Sequence, residues 1–237
     1  ASKFEELCSS PLNQDLSTQE QLELMVNAQI TARRNRKIQR LQREAGLNTN
    51  VKLDDLELEL GDKRGLTRRQ YLEFMRLDFI RQHQNILITG ATGCGKTYLA
   101  SALGNQACIE EWRVKLVKLP VFLDELTLSR HNGEFYKLLQ RLLQVDLLIL
   151  DDFGITPMNE TQRHDLLTIV DERYRLKSII ITSQLEVAAW HGYLGEPTVA
   201  DAILDRVLSQ SHRVALAGES LRWKNAVGNQ DNAVKVV

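Results

Sequence analysis

A chain of 237 residues, 43% of them apolar and 26% charged, is long enough for one substantial core with an appendage. Its formal net charge of -1 excludes a global attraction to polyanions, so any nucleic-acid surface must be local. No apolar run approaches the length of a bilayer span and no signal-peptide pattern opens the chain, so a cytoplasmic protein with no membrane partner is expected.

The first region, residues 1–63, has a helical, basic character. Ser17-Thr-Gln-Glu20 has the form of a capping box, and Leu22, Val26, Ile30, Ile38, Leu41 and Ala45 keep helical spacing as far as Gly46. This predicts one long helix or two consecutive ones. Within it, residues 31–43 hold six basic residues and no acidic one: Arg33, Arg34, Arg36, Lys37, Arg40 and Arg43. Several share one face at three- and four-residue intervals, as a phosphate backbone would require. A solvated face, or pairing with the acidic run Asp54, Asp55, Glu57 and Glu59, fits the same pattern. Residues 54–65 read as a turn-rich connector, after which Thr67-Arg-Arg-Gln70 opens a helix carrying Tyr71, Phe74, Met75 and Phe79. The expected domains are therefore 1–63, helical, for DNA binding or assembly, and 64–237.

Residues 85–97, NILITGATGCGKT, give the second domain its chemistry. A short apolar strand runs into Gly-x-x-x-x-Gly-Lys-Thr, and a helix with Leu99, Ala102 and Leu103 on one stripe follows. Such a loop aims backbone N–H groups and the positive end of a helix dipole at one point, where phosphates sit. The expected nucleotide contacts are Gly90, Ala91, Thr92, Gly93, Cys94, Gly95, Lys96, Thr97 and Tyr98. Lys96 supplies charge for the outer phosphates and Thr97 a hydroxyl for Mg2+. Cys94, near a helix N-terminus, is either a reactive thiol or a filler where only backbone matters. With Cys8 and Cys108 it makes no Cys-x-x-Cys pair, and the five histidines lack ligand spacing, so no disulfide framework or structural zinc is expected.

A strand at residues 113–119 follows, with apolar Val114, Leu116 and Leu119 and with Lys115 and Lys118 between them, and then helices over 120–143 broken at His131-Asn-Gly133. Residues 146–152, DLLILDD, form a near-continuous apolar run ending in two carboxylates, as a parallel strand buried on both faces would. Downstream of a phosphate loop this is the form of a Walker B strand, with Asp151 on the magnesium side and Asp152 placed to orient or deprotonate a water. A helix over 160–174 and a buried strand, Ser178 to Thr182, lead to the small polar run Thr182-Ser183-Gln184. A helix carrying Arg206 and a last strand at 211–217 complete an α/β alternation that implies a parallel three-layer sheet. The guanine-reading run Asn-Lys-x-Asp is absent, which favours ATP.

Together GATGCGKT, LLILDDFG, IIITSQ, AILDRVLSQSHRVAL and GESLR, in this order, resemble the IstB group of AAA+ ATPases, the helper proteins of insertion-sequence transposition and relatives of the DnaC helicase loaders. The resemblance spans nearly the whole chain, including ARRNRKIQRLQR and RGLTRRQ. It implies a P-loop NTPase of the AAA+ type, with a parallel sheet between helices, a small helical basic N-terminal domain and no full C-terminal lid. It implies that Ser183 is a sensor, that Arg206 is an arginine finger acting on a neighbour's ATP, and that Arg222 is a second sensor. By the same resemblance the partners are duplex DNA, further copies of the chain with ATP sites at subunit interfaces, and a transposase. Asp152 stands where many relatives have Glu, so hydrolysis is expected to be slow. Lys115, Lys118 and Lys137 are further candidate DNA contacts. A DnaC-type loader, binding single strands and a helicase, is the alternative, and a small-molecule kinase is a third class.

Overall fold

The computed structural model describes residues 17–51 and 65–218. The chain divides into two compact units, Ala1–Arg40 and Leu41–Val237. The boundary expected near residue 63 lies outside the described residues, as do the acidic run at 54–59, Cys8 and Arg222.

The first helix, α1 (Thr18–Ala45), is one continuous element of 28 residues. Its capping box is formed: the Ser17 N–H donates to the Glu20 carboxylate at 2.7 Å, and the Glu20 N–H returns to the Ser17 hydroxyl at 3.4 Å. Leu41 and Ala45 are buried, whereas Leu22, Val26 and Ile30 stand exposed, so the apolar stripe is covered only at its C-terminal end. Among the described residues no helix is long and apolar enough to cross a membrane.

Within the second unit, after the segment from Leu41 to Val51, come α2 (Arg68–Met75), capped reciprocally by Thr67 and Gln70, and a short turn of helix, α3 (Asp78–Arg81). Then strands and helices alternate: β1 (Asn85–Gly90), α4 (Lys96–Ile109), β2 (Val114–Lys118), α5 (Leu119–His131), α6 (Phe135–Leu143), β3 (Leu147–Phe153), α7 (Glu160–Arg173) and β4 (Ser178–Ser183). The helices α8 (Trp190–Leu194) and α9 (Pro197–Leu208) precede β5 (Ser211–Leu216). All strand pairs are parallel, in the order β2-β3-β4-β1-β5.

Alternation along the strands splits the core in two. Ile86, Ile88, Ile149 and Ile180 pack with α2, α3, α4 and the Leu41–Val51 segment. Leu87, Leu148, Leu150 and Ile181 face the other way, under α5 to α9. On that second face Trp190 is buried with its ring 4.5 Å from that of Phe153, and its indole N–H donates to the Leu185 carbonyl at 3.1 Å. On the first, the buried Asn105 of α4 donates to the carbonyls of Asn48 and Val51 at 2.7 and 2.8 Å, tying that segment to the helix of the phosphate loop.

The amino edge of the sheet is closed by Arg173, fully buried at the end of α7. Its guanidinium donates to the carbonyls of Leu142, Val145, Asp146 and Ser178 at 2.8, 3.1, 3.3 and 2.8 Å. Burial pulls its pKa down to about 10, so it remains charged at neutral pH. Four carbonyls from the ends of α6 and the starts of β3 and β4 thus share one cation. Arg173→Met removes this shared donor, leaving the Leu142 and Asp146 carbonyls with the backbone N–H groups of Val145 and Ser178 that they also accept from, and should lose about 3 kcal/mol of stability, read from the denaturation midpoint. Lysine at 173 should recover only part, because one ammonium cannot fork to four acceptors.

Candidate nucleotide-binding site

The carboxyl ends of β1, β3 and β4 place the chemistry-bearing residues side by side. After β1 the chain turns through Gly90, Gly93 and Gly95, all at positive φ. Gly90 has a second reason to be glycine: a Cβ there would stand 2.2 Å from the Leu216 carbonyl of β5. Helix α4 starts at Lys96, so the N–H groups of Lys96, Thr97 and Tyr98 have no acceptor within the helix and point toward the loop. The Lys96 ammonium folds over this loop and donates to the Gly90 and Ala91 carbonyls, both at 2.8 Å.

Asp151 comes from β3, in register with Lys118 on β2, and is almost fully buried. One of its oxygens accepts from the Thr97 hydroxyl at 2.8 Å and from the Thr182 hydroxyl of β4 at 2.5 Å. The β3–β4 register breaks between Leu150 and Phe153, and Asp152 sits in this bulge with φ +64. The Asp152 N–H donates to the Thr182 hydroxyl at 3.2 Å. Thr182 therefore bridges the Asp151 carboxylate and the bulged backbone, replacing a ladder bond with its side chain.

Ser183, the expected sensor, is one residue on and so faces the opposite side of β4. It is fully buried, and its hydroxyl donates to the Phe153 carbonyl at 2.7 Å and accepts from the Leu185 N–H at 3.0 Å. Gln184 instead reaches the phosphate loop, where its side-chain carbonyl accepts from the Thr92 hydroxyl at 2.8 Å. Sequence reasoning placed Thr182 and Gln184 only in a polar run; the strand alternation separates their directions.

The Cys94 side chain turns away from the loop's open side and is fully buried in the core with Cys108. Burial pushes the Cys108 thiol up to about 12. Both sulfurs belong to the packing.

The donor set fits a nucleotide with a hard cation. Thr97 and Asp151 supply two oxygens at one spot, and among the described residues no cluster of three or more His, Cys, Asp or Glu could hold a metal alone. A magnesium ion is characteristically held in this way, by one or two protein oxygens plus phosphates and water.

Arg206 is not in this group. It lies near the end of α9, leading into β5, whose first residue Ser211 pairs with Asn85 at the start of β1. The phosphate loop begins at the other end of β1, about 17 Å of strand away. No arginine side chain spans that length within one chain. Arg206 donates to Asp171 of α7 at 2.5 Å and to the Ala202 carbonyl at 2.8 Å.

The basic residues Arg33, Arg34, Arg36, Lys37, Arg40 and Arg43 are exposed along α1. Lys115 is half-buried, with its ammonium on the Glu44 carbonyl at 3.1 Å, while Lys118 and Lys137 are exposed.

A family profile described as IstB-like ATP binding protein matches residues 1–228. An insertion sequence ATP-binding protein of Sinorhizobium fredii is 42% identical over 222 residues, covering 94% of this chain and 90% of that protein. One from a Pseudomonas fluorescens insertion sequence is 38% identical over 186 residues, 78% of this chain and 80% of that protein. Among solved structures, AMPPCP-bound DnaA from Aquifex aeolicus superposes with TM-score 0.60 and 25% identity, over 78% of this chain and 56% of that one. The DnaC helicase loader gives 0.58 and 23%, over 71% and 97%, a likeness of fold.

Thr182→Val keeps the shape and removes the hydroxyl, leaving the Asp152 N–H without its acceptor. It should cost about 1–3 kcal/mol of stability in denaturant titration and lower ATP turnover, with nucleotide affinity much less affected.

Proposed function

This chain belongs to the IstB-like ATP binding protein family, and from that premise we propose that it is a self-assembling, DNA-binding ATPase that assists insertion-sequence transposition. The observation that carries this reading is the separation of the phosphate loop and Arg206 onto opposite edges of one parallel sheet. An arginine too far from its own site becomes useful when a second copy presents its amino edge to the first copy's carboxyl edge. Catalysis would then depend on assembly, and both edges of every internal subunit would be engaged.

In this reading the N–H groups at the start of α4 and Lys96 bind the triphosphate. Lys96 would exchange its two carbonyl partners for phosphate oxygens. Thr97 and Asp151 would hold Mg2+, whose role is to neutralise charge on the outer phosphates. Asp152, set in the bulge, takes the proton of the attacking water as its oxygen bonds to the γ-phosphorus and the bond to the β-phosphate oxygen breaks. A neighbour's Arg206 stabilises charge on the transferred group. Gln184, bonded to Thr92, is better directed than Ser183 to register the phosphates, and we assign the sensor role to it.

The exposed basic face of α1 supports duplex contact through phosphates, and repetition along an assembly would multiply a modest patch. The insertion-sequence relatives support target DNA and a transposase as partners. The likeness to a helicase loader is one of fold at lower identity, which favours the transposition reading over loading.

ATP turnover per subunit should rise with protein concentration in the presence of duplex DNA. Arg206→Ala should remove that rise, lowering saturated turnover by about 10³-fold, while a fluorescent ATP analogue still binds. Turnover that stays flat on dilution would refute the assembly. The triple variant of Arg36, Lys37 and Arg40 to Ala should weaken duplex binding for all sequences alike and flatten its log–log salt dependence by roughly one unit per lost phosphate contact.

A further inference from the structure

In the free chain Arg206 is folded back on its own surface. Its Nη1 donates to the Ala202 carbonyl, one turn earlier on α9, and its Nε to the Asp171 carboxylate of α7 at 2.5 Å. The side chain is only 28% exposed, although it stands at the end of the helix nearest the amino edge. The Asp171 side chain, by contrast, is 56% exposed.

The surroundings make this pairing informative. Arg206 shares a shallow cleft with Arg173, Arg175 and Lys177, and no carboxylate lines that cleft. Arg175 is exposed, in a left-handed turn with its guanidinium 5.0 Å over the Tyr174 ring, and Lys177 is paired with Asp146. Arg173 spends its charge on buried carbonyls and Lys177 on Asp146, so the exposed Arg175 is the cation that stands beside Arg206 at this surface. Asp171 is the carboxylate that answers Arg206, and it does so from the rim.

We propose that Asp171 is a latch: it holds Arg206 retracted in the solitary subunit and yields it to the triphosphate of a neighbouring copy when the two subunits meet. This rests on the reading of Arg206 as a group acting in trans. The bonds from Nε to Asp171 and from Nη1 to Ala202 hold the side chain back along its own α7–α9 surface, so extending the guanidinium to a phosphate on another chain means leaving that posture, even though its other N–H donors are not used in it. A pair whose carboxylate is more than half exposed is weak, and a triphosphate carrying several negative charges displaces it. Asp171 touches neither substrate nor reacting atoms; it is a positioning residue that raises the threshold for assembly-dependent turnover.

The test uses the full chain with ATP, Mg2+ and duplex DNA, measuring turnover per subunit across a dilution series, with particle mass followed in parallel. Asp171→Asn should reach half-maximal turnover and assembly at about two- to fivefold lower protein concentration, with the plateau unchanged. Asp171→Glu keeps the carboxylate and should track the wild type, which separates charge from packing. Asp171→Asn combined with Arg206→Ala should behave as Arg206→Ala alone. An unshifted or raised midpoint for Asp171→Asn, while Arg206→Ala abolishes the concentration dependence, overturns the latch and leaves the trans reading standing. The same shift in Asp171→Glu as in Asp171→Asn also overturns it. An Arg206→Ala protein with full concentration-dependent turnover refutes the trans reading itself, and the latch with it.

Discussion

A parallel sheet has two unlike edges, and the behaviour of this chain follows from that asymmetry. Every strand delivers its C-terminal residue to one side, so the phosphate loop after β1, Asp151 and Asp152 on β3, and Thr182 on β4 with Gln184 just beyond it converge without any long connection. The helices return the chain to the other side, and there Arg173, Arg175, Lys177 and Arg206 collect. One edge gathers the glycine-rich loop with its hydroxyls and carboxylates, and the other gathers a buried arginine and the cations around it.

Rigidity at the first edge comes from hydroxyls more than from charges. Thr97 and Thr182 both donate to Asp151, and Thr182 also accepts the N–H freed by the bulge. The carboxylate is held in place before any cation arrives, and the left-handed turn at Asp152 re-aims the second carboxylate relative to the first. At the second edge the buried Arg173 plays the corresponding structural part, joining carbonyls from the end of α6 and the starts of β3 and β4 through one side chain.

Much of this was legible in the residues. The capping box at Ser17, the helix start at Thr67, the glycine-rich loop, the apolar runs ending in Asp151 and Thr182 and the helical stripes are local signals, and local interactions decide them. What escaped was direction. Ser183 and Thr182 differ by one residue but face opposite sides of β4, and only the register with the bulged β3 says which hydroxyl meets Asp151. Cys94 lies inside the phosphate loop yet packs into the core, because its side chain follows the apolar underside of the turn. Arg173 carried no local signal as a basic residue at a helix end, and only burial with four carbonyl partners shows its part. The pairing of Arg206 with Asp171 joins two helices 35 residues apart in sequence, a distance over which no periodicity speaks.

The chain also carries its own reporter. Trp190 is buried beside Phe153, the residue that closes β3 directly after the two carboxylates, and it is anchored through Leu185, which accepts its indole proton just beyond Gln184. A shift of either strand end must change the packing or polarity around that indole. Its intrinsic fluorescence therefore offers an optical readout of the ends of β3 and β4, separable from the half-buried Trp112 and from Trp223 by replacing both with Phe, and requiring no attached dye.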